Sequence, residues 1–107
     1  MKGAVYNNSI LAGILEKDEF GKYIFIYDDL YLKEDENPPI SLTLPKKNKR
    51  YQSDSLFPFF YGLLSEGVNK DIQCRLLKID ENDDFTRLLQ TANDDTIGAI
   101  TIKKNNE

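Results

Sequence analysis

Gly21-Lys22-Tyr23-Ile24-Phe25-Ile26-Tyr27 is the stretch that settles the fold class. Successive side chains of an extended strand point to opposite faces, so Tyr23, Phe25 and Tyr27 share one face and Ile24 and Ile26 the other. Aromatic and β-branched residues suit that conformation. Neither face is polar, so the strand is expected to be covered on both sides, as in a small curled sheet with helices packed outside. On its N-terminal side, Ala4-Val5-Tyr6 and Ile10 to Glu16 read as two more strands. Asn7-Asn8 joins them as a hairpin turn, because asparagine tolerates the left-handed backbone that tight turns need.

On its C-terminal side, Asp28 to Pro39 is a polar, acidic connection closed by Asn37-Pro38-Pro39. Ile40 to Leu44 reads as a short extended piece, since Pro45 disfavours helix in the residue before it. Lys46 to Arg50 is a basic loop. Leu56, Phe59, Phe60, Leu63 and Leu64 then recur at the spacing of one buried helix face. Ser53 or Asp54 can cap that helix, Pro58 fits its first turn, and Gly67 lies just past its end. Asn69 can cap a second helix carrying Ile72, Leu76 and Leu77. Asp83 can cap a third, with Phe85, Leu88, Leu89 and Ala92 on one face. Thr96 to Ile102 is β-branched enough to be a closing strand that pairs back onto the N-terminal sheet. Lys103 to Glu107 reads as a frayed tail. The expected architecture is α+β: a small curled antiparallel sheet or partial barrel with two to three packed helices.

At 107 residues the chain reads as one domain over 1–107, with one real core and no second lobe to form a cleft. Its start lacks the apolar core of a signal peptide, and Leu56 to Leu64 is far too short to span a membrane. Cys74 is the one cysteine, so no internal disulfide can form. These features point to a reducing cytoplasm. The net charge is −4, which disfavours general nucleic-acid binding, where phosphate neutralisation supplies most of the affinity. The charge is unevenly spread, however. Residues 38–53 hold 4 basic side chains and no acidic one.

No residue pattern supports catalysis. The chain has no histidine, which removes the commonest general base and every Ser-His or Cys-His pair. Cys74 and Arg75 are sequence neighbours and face different ways on a helix. Asp80, Asn82 and Asp84 resemble the first ligands of a calcium loop. The obligatory glycine is replaced by Phe85, however, and the closing glutamate by Thr91. Carboxylates there fit a helix N-terminus instead. A zinc site lacks donors, and no glycine-rich loop leads into a helix to cradle a phosphate. The expectation is a non-enzyme without cofactor or metal, acting by binding a partner.

Two features could carry that binding. Lys46, Lys47, Lys49 and Arg50 could meet DNA or an acidic partner, or simply be solvated; no aromatics are interleaved for base stacking. Phe57, Phe59, Phe60 and Tyr61 cannot all lie on one buried stripe. Phe59 and Phe60 fit the core face. Phe57 and Tyr61 share a flank at i and i+4, either as a second internal contact or as part of a partner surface. The loop that follows, Leu64-Ser65-Glu66-Gly67, is the expected neighbour of that surface.

Three segments resemble the N-terminal domain of HipA-type serine/threonine kinases, the toxins of HipBA toxin–antitoxin modules. Ile40-Ser41-Leu42-Thr43-Leu44-Pro45 is similar to the family's Ser-Leu-x-Leu-Pro. Phe59-Phe60-Tyr61-Gly62-Leu63-Leu64-Ser65-Glu66-Gly67 is similar to its Phe-Phe-x-x-Leu-Leu-Pro-Glu-Gly. Asp84-Phe85 through Leu88-Leu89, then Asp95 and Gly98-Ala99, is similar to the stretch where that domain ends, and Gly13 and Leu15 fit its opening hairpin. Departures fall in loops: Ser65 replaces a proline, Lys70 an arginine, Asn93-Asp94 a glycine pair, and Thr96-Ile97 a Cys-Pro. The family's catalytic elements lie C-terminal to this region and are not in this sequence. In the HipBST branch the chain is split into a short kinase, HipT, and a separate small protein, HipS, with HipB as the DNA-binding component. The resemblance implies a HipS-like antitoxin that binds and inhibits a HipT-like kinase, with a HipB-like protein joining the complex. It also admits a non-inhibitory assembly module of a HipA/HipB/DNA complex, or an excised N-terminal domain of a HipA-like kinase.

Overall fold

The computed structural model describes residues 1–64, 67–92 and 99–105, those at 68 and 105 by backbone alone. Five strands form one antiparallel sheet: β1 (Lys2–Asn7), β2 (Ile10–Lys17), β3 (Tyr23–Tyr27), β4 (Arg50–Ser53) and β5 (Ile100–Asn105), in the spatial order β4-β3-β2-β1-β5. Four helices accompany it among the described residues: α1 (Asp29–Lys33), α2 (Pro58–Tyr61), α3 (Gly67–Leu77) and α4 (Asp84–Thr91). The α+β class and the small antiparallel sheet are as expected.

The hairpin turn sits one residue later than its sequence suggested. Asn8 and Ser9 take φ of 52° and 67°, the paired left-handed geometry whose twist matches two antiparallel strands. Asn7 ends β1 with its side chain buried, donating from Nδ2 to the Tyr31 hydroxyl at 3.0 Å. A register shift between Val5 and Tyr6 kinks the β1–β2 ladder. Gly13 permits the close approach of β2 to β3: a Cβ there would lie 2.4 Å from the Ile26 carbonyl oxygen and 2.8 Å from Phe25 Cζ.

The core lies against one face of the sheet, lined by Val5, Leu15, Phe25, Tyr27 and Ile102. Phe60 of α2 and Phe85, Leu88 and Leu89 of α4 close over it. Aromatic rings knit the layers: Phe25 meets Tyr27 edge-on at 4.9 Å, Phe60 lies 5.8 Å from Phe25, and Phe85 meets Tyr23 at 5.9 Å. Asp83 caps α4 as expected, accepting from the Thr86 amide at 3.1 Å.

Several elements differ from the sequence reading, each for a local reason. The acidic connection contains α1, started by Asp28, whose carboxylate accepts from the amides of Leu30 and Tyr31. Ile40 to Leu44 is a loop and not an extended piece. The Tyr27 hydroxyl donates to the Leu44 carbonyl and accepts from the Ile40 amide, Tyr31 donates to Pro38, and Tyr51 to Pro45. Three tyrosine hydroxyls thus take the backbone groups that a strand partner would have taken. The end of the basic loop runs into β4, whose Tyr51 packs on the core.

The helix expected from Leu56 is only α2, because Pro58 sits at its first position and Phe57 is its cap; Asp54 pairs instead with Lys22. Asn69 lies inside α3 and does not cap it. The closing strand pairs with β1 as expected, and its reach extends beyond Ile102. Lys103 and Lys104, read as tail, stand opposite Ala4 and Gly3. Thr96, Ile97 and Gly98 lie outside the described residues.

Candidate partner-binding surface

Of the contact residues expected around α2, only Tyr61 is both described and exposed, at 43%. Phe57 is in the core: as the cap of α2 it turns inward, its ring 6.2 Å from that of Phe60. The flank it was to share with Tyr61 therefore does not form. Leu64 is buried too. Ser65 and Glu66 lie outside the described residues.

α3, the helix expected to carry Ile72, Leu76 and Leu77, supplies apolar surface. Ile72, Leu76 and Leu77 are exposed, Leu76 at 75%. Ile72 and Leu76 share one side of the helix at i and i+4, and Cys74 on another side is buried. The chain then leaves the helix at Lys78, with φ of 57°, where a carbonyl of Cys74 accepts from the Ile79 amide at 3.0 Å and tucks Ile79 inward. α2 and α3 bracket residues 65 and 66, and both present exposed apolar side chains.

The basic loop is largely engaged within the chain. Lys46 Nζ donates to the carbonyls of Glu34 and Asn37 at 2.9 and 2.8 Å. Lys49 pairs with Asp29 at 2.6 Å, which holds the Asp29 carboxyl below its ordinary value. Arg50 is the outward-facing first residue of β4, and Lys47 is exposed. A phosphate backbone would have to compete with residues 29–37 for two of the four cations.

The remaining polar groups serve the fold. Asp80 accepts from the Asn82 amide at 2.8 Å and Asp83 caps α4, so the acidic run is a turn and a helix start. Cys74 is buried in α3. No group of three or more metal-donor side chains occurs among the described residues. Arg87 is the exception to an ordinary interior. It is 1% exposed, its Nη2 lies 3.8 Å from Asp84, and Nε and Nη1 have no hydrogen-bond partner among the described residues. No helix among the described residues is long and apolar enough to cross a membrane. What this surface offers is apolar contact and patterned charge, which suits association with another protein.

Residues 3–103 match the family described as the HipA N-terminal domain. The chain belongs to that family. Among solved members of the HipA N-terminal family, the N-terminal domain of HipA toxin has the same fold. It superposes with a TM-score of 0.71 at 28% identity, covering 99% of this chain and 94% of that one. An uncharacterized protein of Haemophilus influenzae is 32% identical over 102 residues, 95% of this chain and 91% of its own length. The putative kinase Y4mE of Sinorhizobium fredii is 28% identical over 92 residues, which are 86% of this chain but only 22% of the kinase. The order and spacing of the three HipA-like segments were sufficient to identify the family from sequence.

Proposed function

We propose that this chain is an antitoxin of a HipBST-type toxin–antitoxin module. It binds a HipT-like serine/threonine kinase, holds it inactive, and sits with a HipB-like DNA-binding protein in the cytoplasm. It performs no catalysis itself. The observation that carries this reading is the contrast in coverage between two relatives. The match to this chain spans 22% of the putative kinase Y4mE, but 91% of the Haemophilus influenzae protein. The domain therefore occurs both attached to a kinase half and as nearly a whole protein. A detached domain can act in trans on the surface it would otherwise adjoin. The exposed Tyr61, Ile72 and Leu76 of α2 and α3 supply apolar surface for such contact.

Co-expression with a HipT-like short kinase tests this directly. Growth arrested by the kinase is rescued by this chain, and substrate phosphorylation in vitro falls to background as the chain is titrated in. Unchanged kinase activity at saturating chain overturns the reading. The match to part of Y4mE favours a second possibility, a non-inhibitory assembly module of a HipA/HipB/DNA complex. That alternative predicts co-purification without rescue.

A further inference from the structure

One face of the sheet is filled by the core; the other carries an apolar stripe that the core does not use. Because Tyr23, Phe25 and Tyr27 are buried, Ile24 and Ile26 point away from the core. Directly paired residues of neighbouring strands share a face, and the register extends this outer face across the sheet. One row reads Arg50, Ile26, Ile14, Ala4, Lys103, and the next Gln52, Ile24, Glu16, Lys2. Tyr6, opposite Thr101, continues it toward the hairpin end. The three isoleucines, Ala4 and Tyr6 are each partly exposed. Antiparallel sheets with one wet face ordinarily alternate apolar inward and polar outward. β2 and β3 break that pattern at the centre of the sheet, where a contiguous apolar patch marks a contact surface.

The rim of the patch says what kind of partner fits. Lys2, Arg50 and Lys103 stand around it with Glu16, three cations against one carboxylate, on a protein whose net charge is −4. Glu16 is already turned to Lys2 at 3.8 Å, and Lys103 lies over the Tyr6 ring at 5.4 Å. A second copy meeting this face through a two-fold axis would set these cations against their equivalents, which like-charge repulsion disfavours. A partner with an aliphatic centre and an acidic rim satisfies both parts of the face.

We propose that this open sheet face is the docking surface for the kinase, through an aliphatic patch on it framed by aspartate and glutamate. The inference rests on the kinase-binding reading above and adds the surface and the chemistry of its counterpart. Docking by the sheet leaves the α2–α3 side free to restrain the kinase, so anchoring and inhibition occupy different surfaces.

The test uses the full chain, a HipT-like short kinase, and titration calorimetry. Ile14→Glu with Ile26→Glu is expected to weaken binding at least about 30-fold, the scale of losing a central apolar anchor. The second variant, Arg50→Glu with Lys103→Glu, changes only exposed side chains and so keeps the test valid if the first fails to fold. It is expected to slow association, and the deficit is expected to shrink between about 0.05 and 0.5 M salt. Leu42→Glu, at a residue 94% exposed on the tyrosine-pinned loop, is the control and retains full affinity. Wild-type binding with both double variants binding equally well overturns the docking surface and leaves the kinase-binding reading standing. No binding by wild type overturns both. A wild-type dimer in sedimentation that the isoleucine variant abolishes, with kinase binding unaffected, assigns the face to a second copy and overturns the proposal.

Discussion

The Tyr27 hydroxyl donates to the Leu44 carbonyl and accepts from the Ile40 amide, so one side chain closes both ends of the 40–44 loop. Within it the Leu44 amide donates to the Ser41 carbonyl at 3.1 Å and the Thr43 amide to the Ser41 hydroxyl at 3.2 Å. Tyr27→Phe keeps the ring stacked on Tyr31 and leaves one buried donor and one buried acceptor unmatched. The expected loss is about 1–3 kcal/mol, read from urea unfolding. Amide exchange at Ile40 and Leu44 should accelerate in step.

The same hydroxyl sets an alkaline limit. Burial pushes the Tyr27 phenol above its ordinary value of 10.0, despite its bond to the Ile40 amide. An unfolded phenol gives up its proton before the folded one does, so the contribution is complete below pH 10 and is lost as pH rises through the folded value. Tyrosine absorbance should show one phenol ionising last and together with unfolding. Asp29 behaves in the opposite sense. Lys49 lowers its carboxyl below 3.8, so any stabilisation is present above that pH and is lost as pH falls through the folded value. The pair is exposed, and the readout is the carboxyl's NMR titration, which Lys49→Ala should return toward 3.8.

Gly13→Ala tests how tightly β2 and β3 meet. The added methyl would lie 2.4 Å from a backbone oxygen of Ile26, which cannot rotate away. A cost of about 1–3 kcal/mol is expected in thermal or denaturant unfolding. Gly3→Ala meets Leu89 Cδ2 at 2.5 Å, a flexible side-chain end, and should cost less.

The fold was legible where one residue type does one job. β3 declared itself by alternating aromatic and aliphatic residues, the hairpin by its asparagines, and α4 by Asp83 with the 85, 88, 89, 92 spacing. It was illegible where tertiary contacts overrode local pattern. Nothing local says that Tyr27, Tyr31 and Tyr51 will occupy the backbone of residues 38–45, or that Lys46 and Lys49 will turn back onto the α1 region. Ile72 and Leu76 were placed correctly on a helix, but their presence there does not say whether they meet core or solvent. β3 gave the deepest signal. Two apolar faces called for cover on both sides, and among the described residues the core covers one of them.

Arg87 puts a guanidinium in the interior with Nε and Nη1 unpartnered among the described residues. Ion pairs buried with incomplete partners are often outdone by apolar side chains of similar volume. Arg87→Met is therefore expected to stabilise the isolated chain, by about 1–4 kcal/mol on that precedent. If the same variant also loses kinase affinity, the arginine is retained for the complex and not for the fold.

Tyr61, Ile72 and Leu76 separate inhibition from attachment. All three are exposed, so their truncation should leave the unfolding midpoint nearly unchanged. Tyr61→Ala combined with Leu76→Ser is expected to raise residual kinase activity at saturating chain while calorimetric affinity falls less than in the Ile14/Ile26 variant. The reverse pattern, with affinity lost and inhibition intact once saturated, would make the α2–α3 side the anchor. Inhibition and affinity both unaffected would remove these residues from the contact altogether.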